Sequence, residues 1–196
     1  EVPEPDSTSF DPAGARIAVA SDVQAAAVVL DLSTGDQLLT LEGHEHSLED
    51  VAWSPDGALI ATAGVDGSGR VFDARTGRQR FALNGHRSHL VDVDWSPDAT
   101  HLVTASDDGT AKIWFLIGDN ARNNVTLSAQ DTRNGVRGVA YSPDGSRLMT
   151  GNVDRTATTI WDVSLTGEAE VANFPAVMLF YPSVTFTRDG QRLLAT

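Results

Sequence analysis

Histidine, aspartate and hydroxyl residues recur along this chain at spacings that invite chemistry. His44-Glu45-His46 and His86-Arg87-Ser88-His89 each set two imidazoles close together, the beginning of a metal site. A structural zinc centre needs four nitrogen or sulfur ligands at short, fixed spacing. Here there is no cysteine, and the fifth histidine, His101, has no companion. No metal and no cofactor is therefore expected, and disulfides and a thiol nucleophile are excluded. Asp107-Asp108-Gly109 lacks the alternating oxygen ligands of a calcium loop. No glycine-rich loop follows a strand and opens a helix, so a phosphate cradle is not expected either. Asp50, Asp92 and Asp94 place carboxylates on short alternating runs, but no repeated ligand set accompanies them. Asn124-Val125-Thr126 is a glycosylation sequon.

The elements that must position these residues come from an internal repeat. An aromatic followed by a turn recurs at Phe10-Asp-Pro-Ala-Gly, Trp53-Ser-Pro-Asp-Gly, Trp95-Ser-Pro-Asp-Ala, Tyr141-Ser-Pro-Asp-Gly and Phe186-Thr-Arg-Asp-Gly, at intervals of 43, 42, 46 and 45 residues. Ser-Pro-Asp-Gly suits a type I turn, with Ser at its first position, Pro fixing φ at the second and Gly closing it. Each turn follows a short alternating run, such as Leu90–Trp95, and precedes a mostly apolar run: Arg16–Ala20, Leu59–Ala63, His101–Ala105, Arg147–Thr150 and Arg192–Ala195. These runs predict antiparallel hairpins. Third strands are predicted at Ala26–Asp31, Arg70–Asp73, Ala111–Phe115 and Thr158–Asp162. Fourth strands are predicted at Gln37–Leu41, Arg78–Leu83, Asn124–Leu127 and Ala169–Val171. No stretch carries a capped 3.6-residue apolar period, so helix should be scarce. Four short strands per unit of this length make the blade of a β-propeller.

At this point the chain resembles the WD40-repeat family. Gly43-His44 is followed after 27 residues by Phe72-Asp73, Gly85-His86 after 27 residues by Trp114-Phe115, and Trp161-Asp162 carries the dipeptide that names the family. The resemblance runs from Phe10 onward and implies an all-β, WD40-type propeller. A single segment, 1–196, is expected, with blades over 6–42, 47–84, 89–128 and 135–173 and part of a fifth over 180–196. The first unit lacks an upstream Gly-His and has Leu30-Asp31 for Trp-Asp. The fourth has Ala129-Gln130 near the Gly-His position and one extra residue between Asp154 and Trp161. Both should be less regular than the second and third. Because the family's rings hold about seven blades, and the chain opens on Glu1 and stops inside a fifth unit, it is expected to be part of a longer propeller. Closure by self-association is the alternative if the chain is complete.

The resemblance also implies roles for the polar residues. In this family a His, a Ser or Thr, an Asp and a Trp form a hydrogen-bonded tetrad inside a blade. The third unit supplies His86, Thr104, Asp108 and Trp114. The second supplies His44, Thr62 and Asp66, with Phe72 in the Trp position, and the fourth Thr150, Asp154 and Trp161. The set looks like a catalytic Ser-His-Asp arrangement, but the resemblance makes it a fastening within the blade. The usual recognition face carries the fourth-to-first and second-to-third strand connections. It would present Glu45, His46, Arg87, Ser88, His89, Asp107, Arg133 and Arg155. The apolar stretch Phe174–Pro182 is read as the connection into the fifth blade and its inner strand.

Charge narrows the partner. The net charge of −13 opposes a surface that tracks nucleic-acid phosphates. Eleven acids and one base, Arg16, lie in residues 1–50, and the rest of the chain is nearly balanced. No apolar run approaches a membrane span or a signal peptide, so no membrane is expected and the expected location is cytoplasmic. The function expected from the resemblance is a non-catalytic protein–protein interaction scaffold, a regulatory or sensor module of a larger signalling protein. Two alternatives stay open. One is a small-molecule-binding or enzymatic propeller of the lactonase or dehydrogenase kind. The other is a periplasmic propeller resembling TolB, which shares the Ser-Pro-Asp-Gly turn but not the Gly-His to Trp-Asp spacing.

Overall fold

A computed structural model describes residues 7–21, 25–118, 120–128, 135–152, 158–163, 169–174, 184–187, 189–190 and 193–195. Among them every regular element is a β-strand. The first sheet holds β1 (Ser7–Phe10), β2 (Arg16–Ala20), β3 (Ala26–Asp31) and β4 (Gln37–Glu42). The second holds β5 (Leu48–Trp53), β6 (Leu59–Gly64), β7 (Gly69–Asp73) and β8 (Gln79–Leu83). The third holds β9 (Leu90–Trp95), β10 (His101–Ser106), β11 (Thr110–Ile117) and β12 (Asn120–Ser128). The fourth holds β13 (Val136–Tyr141), β14 (Arg147–Asn152), β15 (Thr158–Asp162) and β16 (Ala169–Phe174). A hairpin of β17 (Val184–Phe186) and β18 (Leu193–Ala195) follows. Each four-stranded sheet is an antiparallel meander in chain order, which is the propeller blade. The first strands β1, β5, β9, β13 and β17 lie side by side in that order.

The turns fold as their composition requires. In Ser54-Pro55-Asp56-Gly57 the Gly57 N–H donates to Ser54 O at 2.9 Å, closing the turn. The buried Ser54 hydroxyl donates to Asp56 Oδ1 at 2.6 Å and accepts Leu59 N–H at 2.9 Å, starting β6 in register. Ser96 and Ser142 repeat the bond to the aspartate two residues on, at 2.6 Å each. Gly57 and Gly145 have φ near +70° and meet the proline of the preceding blade's turn, Pro12 and Pro97, where a Cβ would come to 3.4 Å from the ring. The third blade breaks this pattern. Ala99 takes the glycine position with φ +57°.

Packing between blades sets large side chains against small ones. Trp53, Ile60 and Phe72 of the second blade cluster with Ala18, Ala20, Ala27, Val29 and Leu41 of the first. Trp95, Leu102 and Trp114 meet Ala61, Ala63 and Val71, and Tyr141, Leu148 and Trp161 meet Val103, Ala105 and Ala111. Burial of these aromatic faces is the largest favourable term in such a fold. Polar staples add to it. The Arg16 guanidinium lies 4.5 Å over Trp53, pairs with Asp11 at 3.1 Å and donates to Ala74 O at 3.3 Å. At the corresponding place His101 stacks on Phe115 and meets Tyr141 edge-on, with centroids 5.1 and 5.4 Å away.

The outer hairpin of the third blade is longer than the sequence pattern suggests. There β11 continues past Trp114 to Ile117 and β12 begins at Asn120, because Phe115, Leu116 and Ile117 pair with Arg122, Ala121 and Asn120. In the fourth blade β16 extends to Phe174. The rest of the Phe174–Pro182 stretch lies outside the described residues.

Ala99 gives a direct test of the turn account. A non-glycine residue in the left-handed region costs roughly 1–2 kcal/mol, and a glycine there gives back part of that through unfolded-state entropy. Ala99→Gly is expected to stabilise the protein by up to about 1 kcal/mol in a denaturant or thermal melt. A lower midpoint would contradict the reading of this turn.

Candidate functional site

The Gly-His segments lie in the connections that join one blade's outer strand to the next blade's inner strand, and the aspartates lie in the β6–β7 and β10–β11 turns. In the third blade these meet in a one-way chain of hydrogen bonds. Asp108, ionised, can only accept, so His86 Nδ1–H donates to its Oδ2 at 3.0 Å. His86 Nε2 must then accept, and the Thr104 hydroxyl supplies the proton at 2.8 Å. That hydroxyl accepts from Trp114 Nε1–H at 2.8 Å. Asp108 also takes Arg87 N–H at 2.9 Å, Thr110 N–H at 2.9 Å and the Thr110 hydroxyl at 2.6 Å.

The second blade repeats the arrangement without the indole. His44 Nδ1–H donates to Asp66 Oδ2 at 2.9 Å and Thr62 donates to His44 Nε2 at 2.8 Å. Glu45 N–H and Ser68 complete the carboxylate at 2.7–3.0 Å. Phe72 fills the Trp position as a fully buried hydrocarbon. Gly64 is required here, since a Cβ would stand 2.4 Å from His44 Nδ1. In the fourth blade Trp161 Nε1–H donates to Thr150 Oγ1 at 3.0 Å, and Asp154 lies outside the described residues.

Electrostatics keep each pair in a neutral-imidazole, ionised-carboxylate state. Burial would raise Asp66, yet the hydrogen bonds from Ser68 and Glu45 N–H and the His44 interaction outweigh it and hold the carboxyl at about 2. In the same way the bonds from Thr110, Arg87 N–H and His86 hold Asp108 at about 2. Burial pushes both imidazoles below their ordinary value, against the pull of the carboxylates. The His44 and His86 side chains have no exposed surface, and Thr62 and Thr104 are fully buried. A hydroxyl in that position cannot meet a substrate.

Around the tetrads, Glu45, His46, Arg87 and His89 are exposed and Ser88 is half-buried. Asp107 is already engaged, with the Arg137 guanidinium at 3.3 Å. The backbone pins this surface, since Asp107 N–H donates to His89 O at 3.1 Å and the Ser106 hydroxyl to Ser88 O at 3.3 Å. Arg133 and Arg155 lie outside the described residues.

Sequence reading missed a second polar system, on the inner strands. Asp50 Oδ2 accepts Val93 N–H at 2.9 Å, Asp92 Oδ2 accepts Val139 N–H at 2.8 Å and Asp94 Oδ2 accepts Tyr141 N–H at 2.7 Å. Ser9 Oγ accepts Trp53 N–H at 3.0 Å, and Ser7 donates to Asp50. Each bond crosses from one blade to the next. A signal was present: Ser7, Asp50 and Asp92 all stand three residues before the inner-strand aromatic, and Ser9 and Asp94 one residue before it. Among the described residues no group of three or more His, Asp or Glu side chains could hold a metal ion.

The family model for the WD domain, G-beta repeat, matches residues 35–73, 77–114 and 123–158, more than half of the chain. Each match begins in or near the outer strand of one blade and runs into the third strand of the next. Among curated proteins, 61 residues are 38% identical to Coronin-7 of Mus musculus, 37% to that of Rattus norvegicus and 36% to that of Homo sapiens. The matched stretch is 31% of this chain and 7% of the length of each relative.

The tetrads predict a separation of stability from binding. Asp108→Ala leaves His86, Arg87 N–H and Thr110 without their acceptor, and is expected to cost about 2–3 kcal/mol, lowering the melting temperature. His86→Ala should act in the same direction. Partner affinity, measured on the folded variant by calorimetry, should stay close to wild type. A variant that keeps its stability and loses binding would contradict the structural role.

Proposed function

The chain belongs to the WD domain, G-beta repeat family, and from that premise we propose that it serves as a non-catalytic scaffold for protein–protein interaction, a regulatory or sensor propeller of a larger signalling protein. The observation that carries this reading is the closed state of the His-Asp-Thr sets. In the second and third blades the imidazoles and threonine hydroxyls of these sets are enclosed and spent on a neighbour, while the loops they anchor present exposed charge on a fixed frame. Loops held on a rigid scaffold are the common place for recognition. The partner would be a protein or peptide that docks on Glu45, His46, Arg87, Ser88 and His89, with Arg133 and Arg155 as further contacts.

The rest of a propeller belongs to the same proposal. Phe10, Ile17 and Leu30 occupy in the first blade the positions of Trp53, Ile60 and Phe72 in the second. Phe10 is 59% exposed where Trp53 is 6%. That face has the shape and chemistry of a blade interface and would be covered by a further blade, from the same polypeptide or from a second copy. A cytoplasmic location goes with this reading, and no helix of the described residues is long and apolar enough to cross a membrane.

The scaffold reading is tested by immobilising the protein, capturing its partner from the source cells, and repeating the capture with Arg87→Glu/His89→Ala. Captured protein is expected to fall at least tenfold at unchanged melting temperature. Equal capture by the double variant would move the site elsewhere. A turnover activity that depends on His86 or Asp108 in a folded protein would replace the scaffold by an enzyme.

A further inference from the structure

Three kinds of contact recur where one blade meets the next, and each has two sides. The preceding blade supplies small residues, a side-chain acceptor and a turn proline. The following blade supplies large apolar residues, a backbone N–H and a turn glycine. The first blade carries all three parts of the following kind, and among the described residues none of them is met. Phe10 is exposed, and so is Leu32, at 45% against 2% for Ala74 in the same place on the second blade. A Cβ on Gly57 or Gly190 would come to 3.4 or 3.5 Å from Pro12 or Pro143, whereas one on Gly14, with φ +67°, would have nothing within 4 Å.

The unmet N–H groups follow from the register. Asp11 N–H donates to Arg16 O at 3.0 Å, next to the Phe10–Ile17 pair. Bonded and non-bonded pairs alternate along an antiparallel ladder. Ser9 and Ser7 therefore bond to β2, and the N–H groups of Thr8 and Phe10 point away from it, on the free edge of the sheet. In the second blade Trp53 N–H has the Phe10 position and is taken by Ser9. Val93 and Val139 N–H have the Thr8 position in the third and fourth blades and are taken by Asp50 and Asp92. We propose that the edge of the first blade receives a further blade of the same polypeptide, of defined composition. It carries Ser, Thr, Asp or Asn three and one residues before its inner-strand aromatic, alanine or valine on its second and third strands, and proline in its first turn. Such a blade presupposes the propeller reading above, and the edge specifies its composition.

A second copy fits this edge less well. Stacked head to tail it would offer its fifth unit, whose Thr187-Arg188-Asp189-Gly190 turn has arginine where Pro12, Pro55, Pro97 and Pro143 stand in the other four. The proline contact made at Gly57, Gly145 and Gly190 would then be forfeited at Gly14. A lone blade from another chain is no better, since one repeat cannot bury its own faces and is stable only in a stack. The occupant is therefore a blade already held by its own neighbours. Joining it within one polypeptide costs only loop closure, which grows slowly with length.

Hydrogen exchange on the native polypeptide, purified from its source, reads the edge amide by amide. The Thr8 and Phe10 amides are expected to exchange at least about a hundredfold more slowly than unstructured amides, at every protein concentration. Phe10→Asp should return both to fast exchange while the Trp53 and Tyr141 amides stay protected. If that variant loses the Trp53 and Tyr141 protection as well, Leu32→Asp serves in its place with the same expectation. Fast exchange of both amides in a native polypeptide that carries further blades would overturn the edge assignment alone, as would protection that neither variant disturbs. Fast exchange in a native polypeptide no heavier than these 196 residues would overturn the propeller reading with it. Protection that appears only as concentration is raised would replace the further blade by a second copy.

Discussion

Neighbouring blades of a propeller share no β-ladder, so something other than backbone pairing must hold one inner strand to the next. In this chain it is a side-chain acceptor on one blade taking a backbone N–H from the following blade. The rule has two positions. An acceptor three residues before the inner-strand aromatic reaches the N–H two residues before the next aromatic, as Asp50 does to Val93 and Asp92 to Val139. An acceptor one residue before the aromatic reaches the next aromatic's own N–H, as Ser9 does to Trp53 and Asp94 to Tyr141. Desolvated N–H groups left without partners would each cost on the order of 1–3 kcal/mol. The acceptors therefore decide whether the blades can close on one another at all.

Everything else is arranged around that junction. Large aromatics packed on alanine and valine bring the sheets to the distance at which the acceptors reach. The Ser-Pro-Asp-Gly turns and the proline–glycine contacts beneath them set the spacing at one end of the stack. The tetrads fasten the loops at the other. The pattern also weakens where its residues are missing. Gly138 and Ala140 occupy the two acceptor positions of the fourth blade, and its junction to the following hairpin rests on Ala140, Met149 and Phe186.

Much of this was legible in the sequence because it is local and repeated. The aromatic-Ser-Pro-Asp-Gly period determines hairpin after hairpin and with them the all-β fold, and the Gly-His to Trp-Asp spacing laid over it carries the family resemblance. The tetrad partners were legible only through resemblance, since nothing in the spacing of His86, Thr104 and Asp108 says that three strand ends converge. The inner-strand acceptors were harder still. Asp92 and Asp94 read as ordinary polar positions of an alternating strand, and their partners are backbone groups some 47 residues away. The Asp107–Arg137 pair was out of reach for the same reason, because it crosses between blades.

The most direct test is native-state hydrogen exchange at the amides of Trp53, Val93, Val139 and Tyr141. If side-chain acceptors hold the blades together, these four should exchange only through global unfolding, as slowly as the most protected amides of the sheets. Exchange as fast as that of the exposed outer strands β4 and β8, with the tetrad-linked amides still protected, would mean that the blades are held by packing alone.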